Sequence, residues 1–146
     1  MATEIRHAGL VVRDIESSLK FYSGLLGIPI ISRRIEEGEF IERLVGIPNV
    51  KLEWAKLQDE KGIIVELLYY HSPTSDASEG NYPSNRHGAS HIAFTIKGID
   101  KLYALLCESK IHCNSVPLIS PDGKVKVLYC HDPDGIIVEL VEDIYK

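Results

Sequence analysis

The chain has 146 residues, 45% hydrophobic and 25% charged, with a formal net charge of −5. That length fits one compact domain or two small modules sharing a core, and the acidic balance argues against a general affinity for nucleic-acid phosphates. No apolar run reaches the roughly 18 residues of a membrane span, and the opening MATEIRHAGL lacks a basic stretch followed by an apolar one, so the expected location is the cytoplasm. Three cysteines, Cys107, Cys113 and Cys130, show no C-x-x-C pairing and are expected as reduced thiols.

In chain order, a β-rich stretch over 5–12 leads into a helical pattern. Ile15, Leu19, Tyr22 and Leu26 form one stripe, with Asp14 placed as its N-cap. Strands are expected over 28–35, 51–57 and 62–69. The segment 71–88, HSPTSDASEGNYPSNRHG, is rich in Ser, Pro, Gly and Asn and reads as a linker. A second β-rich stretch over 89–96 precedes another apolar stripe, Ile99, Leu102, Tyr103 and Leu106. Strands are then expected over 112–118, 124–130 and 136–141. Asp132-Pro133-Asp134-Gly135 is a strong turn signal that makes the last two a hairpin. Gln58–Gly62 plays that part earlier.

The order repeats because the chain repeats. GIIVEL occurs at 62–67 and again at 135–140, and His7-Ala-Gly-Leu-Val-Val-Arg-Asp-Ile15 matches His91-Ile-Ala-Phe-Thr-Ile-Lys-Gly-Ile99 in pattern. The histidines are offset by 84 positions (7 to 91) and the glutamates by 73 (66 to 139). The first copy therefore carries 11 more residues between the two, placed within 33–50. The predicted architecture is α+β: two tandem βαβββ modules, 1–70 and 89–146, joined by the 71–88 linker, with curved sheets and outer helices.

Side-chain alternation gives the histidines and glutamates their meaning. Ile92, Phe94 and Ile96 share a bulky face, whereas His91, Ala93 and Thr95 share a face with room. His7, Gly9 and Val11 repeat this against Ala8, Leu10 and Val12. Glu66 and Glu139 are each flanked on their own face by aliphatics, where an unpaired carboxylate costs several kcal/mol. A divalent cation held by two carboxylates and two neutral imidazoles would be balanced. His7, Glu66, His91 and Glu139 are therefore the candidate metal ligands. Any one alone would more often be a structural residue; their recurrence in both copies carries the argument. His71, His87, His112 and His131 are expected in or beside loops. Arg33-Arg34 is too short for a nucleic-acid patch but could meet an anionic substrate.

The stretches HAGLVVRDIESSLKFYSGLLGI, GASHIAFTI and DPDGIIVELVE together resemble the vicinal oxygen chelate superfamily of glyoxalase I, methylmalonyl-CoA epimerase, extradiol dioxygenases and bleomycin- or fosfomycin-resistance proteins. The resemblance implies a U-shaped sheet around a metal at His7, Glu66, His91 and Glu139, with Zn, Ni, Co, Mn or Fe(II) all compatible. It implies a small-molecule substrate with vicinal oxygens and a homodimer, with the site formed within one chain or across two. A carboxylate at position 66 favours a lyase or isomerase of glyoxalase or epimerase type, in which Glu139, or else Glu66, moves the proton. Glu39 and Glu42 are further acidic candidates in the inserted region. The competing expectations are an Fe(II) extradiol-type dioxygenase using His7, His91 and Glu139, and a non-catalytic small-molecule-binding protein. The arginine pattern that grips glutathione in glyoxalase I is absent, and the EGEFIERLVGIP insertion is expected to shape an apolar pocket, cover the sheet as a surface helix, or form a dimer contact.

Overall fold

The structure is a computed structural model that describes residues 5–75, 80–89 and 91–145. Part of the expected linker, 76–79, and Ser90 of the second opening strand lie outside them. The chain divides into two compact units, Met1–Ser78 and Glu79–Lys146. Each is an α+β module built on one four-stranded mixed sheet.

In the first unit, β1 (His7–Val11) runs into α1 (Ile15–Leu19), which continues as a π-helical segment, Lys20–Leu25. Asp14 caps α1, its Oδ1 accepting from the Ser17 amide at 3.0 Å, as expected for a short polar side chain before a helix. The π segment turns Phe21 and Tyr22 inward, fully buried and edge-to-face with ring centroids 5.0 Å apart. Then follow β2 (Ile30–Glu37), α2 (Glu39–Val45), β3 (Lys51–Gln58) and β4 (Ile64–Ser72). The strand order is β1-β4-β3-β2, with β1 parallel to β4 and the other pairs antiparallel.

The second unit repeats the plan with β5 (His91–Thr95), α3 (Ile99–Glu108), β6 (Leu118–Ile119), β7 (Val125–His131) and β8 (Ile137–Asp143), in the order β5-β8-β7-β6. β6 is two residues long where a strand over 112–118 was expected. Pro117 has no N–H to give a ladder, and only a bridge between Cys113 and Cys130 survives upstream.

The helix-facing sides of the sheets are the cores. In the first unit Ala55, Leu57, Val65 and Leu67 are buried with Val12, Ile15 and Leu19. In the second, Ile99, Leu106, Leu128, Val138 and Leu140 are buried. Each fully buried aliphatic contributes roughly 1.5–3 kcal/mol relative to exposure. The inserted region forms β2's end and α2, which packs Ile41 onto Val50 and Leu52, with Leu68 and Tyr70 partly buried against them. Leu68 and Tyr70 share the Glu66 face, so α2 covers the sheet on the face that carries that carboxylate. Gly38 precedes α2, and Gly46, left-handed at φ 72°, ends it through its N–H to the Glu42 carbonyl.

Two parts of the expected linker are structured. β4 extends through Ser72, which places His71 on a strand. The stretch Gly80–Tyr82 lies on the second hairpin, where the Tyr82 amide donates to the Gly135 carbonyl at 2.9 Å. Among the described residues no helix is long and apolar enough to cross a membrane.

Candidate metal centre

Two hairpins position the glutamates, and both are built in one way. Asp59 Oδ1 accepts from the amides of Lys61 (2.9 Å) and Ile63 (2.8 Å). Asp132 Oδ1 accepts from the amides of Asp134 and Ile136, both at 2.9 Å. The fourth residue of each turn, Gly62 or Gly135, has φ +86° or +82°, a conformation that favours glycine. The repeated unit is therefore Asp-x-x-Gly-Ile-Ile-Val-Glu-Leu, three residues longer than the hexapeptide, and the aspartate sets the start of the strand bearing the glutamate.

Parallel pairing then brings histidine to glutamate. His7 lies opposite Ile64 and Gly9 opposite Glu66; His91 lies opposite Ile137 and Ala93 opposite Glu139. In each unit the imidazole Nε2 stands 3.1 Å from a carboxylate Oε2. A small residue lies opposite each glutamate, Gly9 or Ala93; a Cβ on Gly9 would meet Leu68 Cδ1 at 3.4 Å.

The spacing suits a metal. Two ligands bound at about 2.1 Å and subtending 90–109° at one ion stand roughly 3.0–3.4 Å apart. Each His–Glu pair matches two neighbouring ligands of such a shell, one neutral nitrogen and one anionic oxygen. Within either unit, the described residues contain no larger His, Cys, Asp or Glu cluster able to hold an ion. Glu39 is exposed on α2 and paired with Arg43 at 3.4 Å, and Glu42 caps no centre either.

A third residue lies beside each pair. Lys56 is opposite Glu66 on β3, and Tyr129 is opposite Glu139 on β7. Lys56 Nζ is 3.5 Å from Glu66 Oε1 and 4.6 Å from the centre of the Trp54 ring. The Tyr129 ring lies 5.3 Å from that of His91, and burial, with the charge of Glu139 added, pushes its phenol pKa up. Each stands ten positions before its glutamate (56 to 66, 129 to 139). Counting back across the Asp-x-x-Gly turns would have found both.

His71 and His131 serve structure. His71 Nε2 contacts Glu53 Oε2 at 2.8 Å, while Arg33 donates to Glu53 Oε1 at 2.6 Å and to Glu16 Oε1 at 2.5 Å. This network ties α1, β2, β3 and β4 on the helix-facing side. Burial pushes the Glu53 carboxyl up, but the hydrogen bonds from Arg33 and His71 outweigh it and leave the pKa lowered. Arg33 is therefore committed to two carboxylates, and Arg34, across the strand from Trp54, lies on the other face. His131 is buried, with Nδ1 at 3.1 Å from the Gly135 carbonyl oxygen and Nε2 at 2.9 Å from Asn114 Oδ1.

Comparison with known proteins agrees with the duplicated framework. The model of the glyoxalase/bleomycin resistance protein/dioxygenase superfamily matches residues 4–140, and the chain belongs to that superfamily. It is 31% identical to a lactoylglutathione lyase of Schizosaccharomyces pombe over 94% of this chain, but spans only 47% of that protein. It is 28% identical to the lactoylglutathione lyase of Pseudomonas aeruginosa, covering 93% of this chain and 80% of the relative. A glyoxalase family protein from Bacillus cereus has the same fold at a TM-score of 0.90, with 20% identity over 99% of this chain and 97% of that one. A fosfomycin resistance protein of Listeria monocytogenes, solved with Mn(II), superposes at a TM-score of 0.64 with 15% identity, over 96% of this chain and 90% of that one.

Proposed function

We propose that the chain is a divalent-metal-dependent lyase or isomerase of glyoxalase or epimerase type, acting on a small molecule with vicinal oxygens. The carrying observation is the duplicated imidazole–carboxylate pair at 3.1 Å in both units. His7, Glu66, His91 and Glu139 would hold the ion. The curated lyases among its relatives and the Mn(II)-bound structural neighbour support that class of chemistry. Two units from one chain, or from two chains of a homodimer, complete the ligand set.

When bound, a divalent ion supplies Lewis acidity to the substrate oxygens and so acidifies the neighbouring C–H. The proton work belongs to the chain. Glu139 removes the proton from the carbon next to the carbonyl and returns it to an adjacent carbon or the opposite face. Tyr129, opposite Glu139 on the neighbouring strand and held in its neutral form, offers a hydrogen bond beside that carboxylate. Glu66 is the second candidate for that proton transfer.

Protein purified without chelators should contain a stoichiometric divalent metal. In heavy water it should exchange the α-proton of a thiohemiacetal or acyl thioester, and Glu139→Gln should abolish the exchange. Metal-loaded wild type that exchanges no such proton would overturn the reading. One observation favours a second: Lys56 at 3.5 Å offers Glu66 an alternative partner to a metal. That would leave His7, His91 and Glu139 as the three-ligand set of an Fe(II) dioxygenase, for which oxygen uptake with catechols is the test.

A further inference from the structure

Beside His7, the first unit has a cleft of about 410 Å³ lined by Arg6, His7, Lys56 and Lys61 together with Gly62 and the apolar Ile5, Ile63 and Ile64. Three cations on one small cleft are unexpected in a chain of net charge −5. The turn aspartate does not face the cleft: Asp59 is not among its lining residues, and its Oδ1 accepts from the Lys61 and Ile63 amides. The carboxylate beside them is Glu66, 3.5 Å from Lys56 and itself a candidate ligand. Lys56 is braced on its other side by the Trp54 ring.

The duplication supplies an internal control. The positions equivalent to Lys56, Lys61 and Arg6 in the second copy, at the offsets of 73 and 84, are Tyr129, Asp134 and Ser90. The same hairpin and strand register form there without a cation at any of the three. The scaffold therefore does not require these charges, and their gathering in one copy calls for a ligand of opposite sign.

We propose that this cleft is an anion subsite. It receives a carboxylate or phosphate arm of the substrate whose vicinal oxygens lie at the His7–Glu66 pair. The inference rests on the metal reading above and narrows its substrate class to molecules with a second, acidic group. Arg6 and Lys61 contact the oxyanion through charge-assisted hydrogen bonds, while Lys56 bridges the subsite and Glu66.

Trp54 is the only tryptophan, so its fluorescence reports on binding at Lys56. The test titrates zinc-reconstituted protein with succinohydroxamic acid, with its methyl ester, and with 3-phosphonopropionohydroxamic acid. At least one acid should bind roughly tenfold more tightly than the ester, and the better of the two identifies the arm as carboxylate or phosphate. The double variant R6Q/K61Q, whose changed side chains touch no candidate ligand, should erase the preference while leaving ester affinity within about twofold. Equal binding of acids and ester, retention of the preference in the double variant, or no binding by either acid overturns the subsite. Chelator-treated protein separates the two readings. If the acids keep their preference but bind equally well without metal, the metal centre fails and the cleft stands.

Discussion

Gly62 and Gly135 begin identical hexapeptides at nearly identical φ, yet their replacement by alanine should differ in cost. At both positions an L side chain in the left-handed region costs roughly 1–2 kcal/mol. At Gly62 the added Cβ meets only Gln58 Nε2 at 3.7 Å, an ordinary contact. At Gly135 it would fall 2.1 Å from the Gly80 carbonyl oxygen and 3.0 Å from the Asn81 Cα. Backbone at that distance has to move, and with it goes the Tyr82 N–H to Gly135 hydrogen bond, a net loss of about 1 kcal/mol plus the contacts made by the segment. Gly135→Ala should therefore cost about 1–2 kcal/mol more than Gly62→Ala in urea unfolding followed by circular dichroism. Hydrogen exchange at the Tyr82 amide should accelerate in Gly135→Ala alone. Equal costs with an unchanged Tyr82 amide would show that 80–82 is not seated on the turn.

Mixing inactive His7→Ala and His91→Ala proteins should restore metal binding and exchange if ligands from two chains build one centre, and restore nothing if one chain supplies all four. Burial pushes the His131 imidazole pKa down, with the nearby His112 adding to this and the Gly135 hydrogen bond opposing it. The unfolded chain thus takes up this proton first as pH falls below about 6.5, and stability should decline there more steeply for wild type than for His131→Gln in denaturant titrations. Burial raises the thiols of Cys113 to about 11 and Cys130 to about 12, whereas Cys107 is exposed. Alkylation near pH 7.5, read by peptide mass spectrometry, should mark Cys107 well before the other two.

Much of the fold was legible because duplication let weak signals be read twice. His7 and His91 each open a strand whose partner, by register, carries the matching glutamate, and neither strand alone would have justified pairing them. The relation between the pairs does not follow from register, since it depends on how units assemble rather than on local pattern. HSPT reads as a turn and puts His71 in the linker, whereas its place at the end of β4 depends on Glu53 and Arg33, on two other strands. The π segment after Leu19 was not foreseen, as the Ile15–Leu26 stripe suits an ordinary helix equally well. Lys56 and Tyr129 were missed for want of the longer Asp-x-x-Gly repeat, although both turn aspartates were visible.

The two units cap their helices by different means. Asp14 serves α1 from three residues away, but α3 begins at Gly98, which has no side chain to offer. Glu142 on β8 does this instead, accepting from the Gly98 and Ile99 amides, the latter at 3.0 Å. A carboxylate at that end also opposes the helix dipole favourably. As the chain leaves the ribosome, α1 can be sealed as soon as it is made, whereas α3 must wait for another 43 residues. Nascent α3 thus lacks this cap until the last strand arrives.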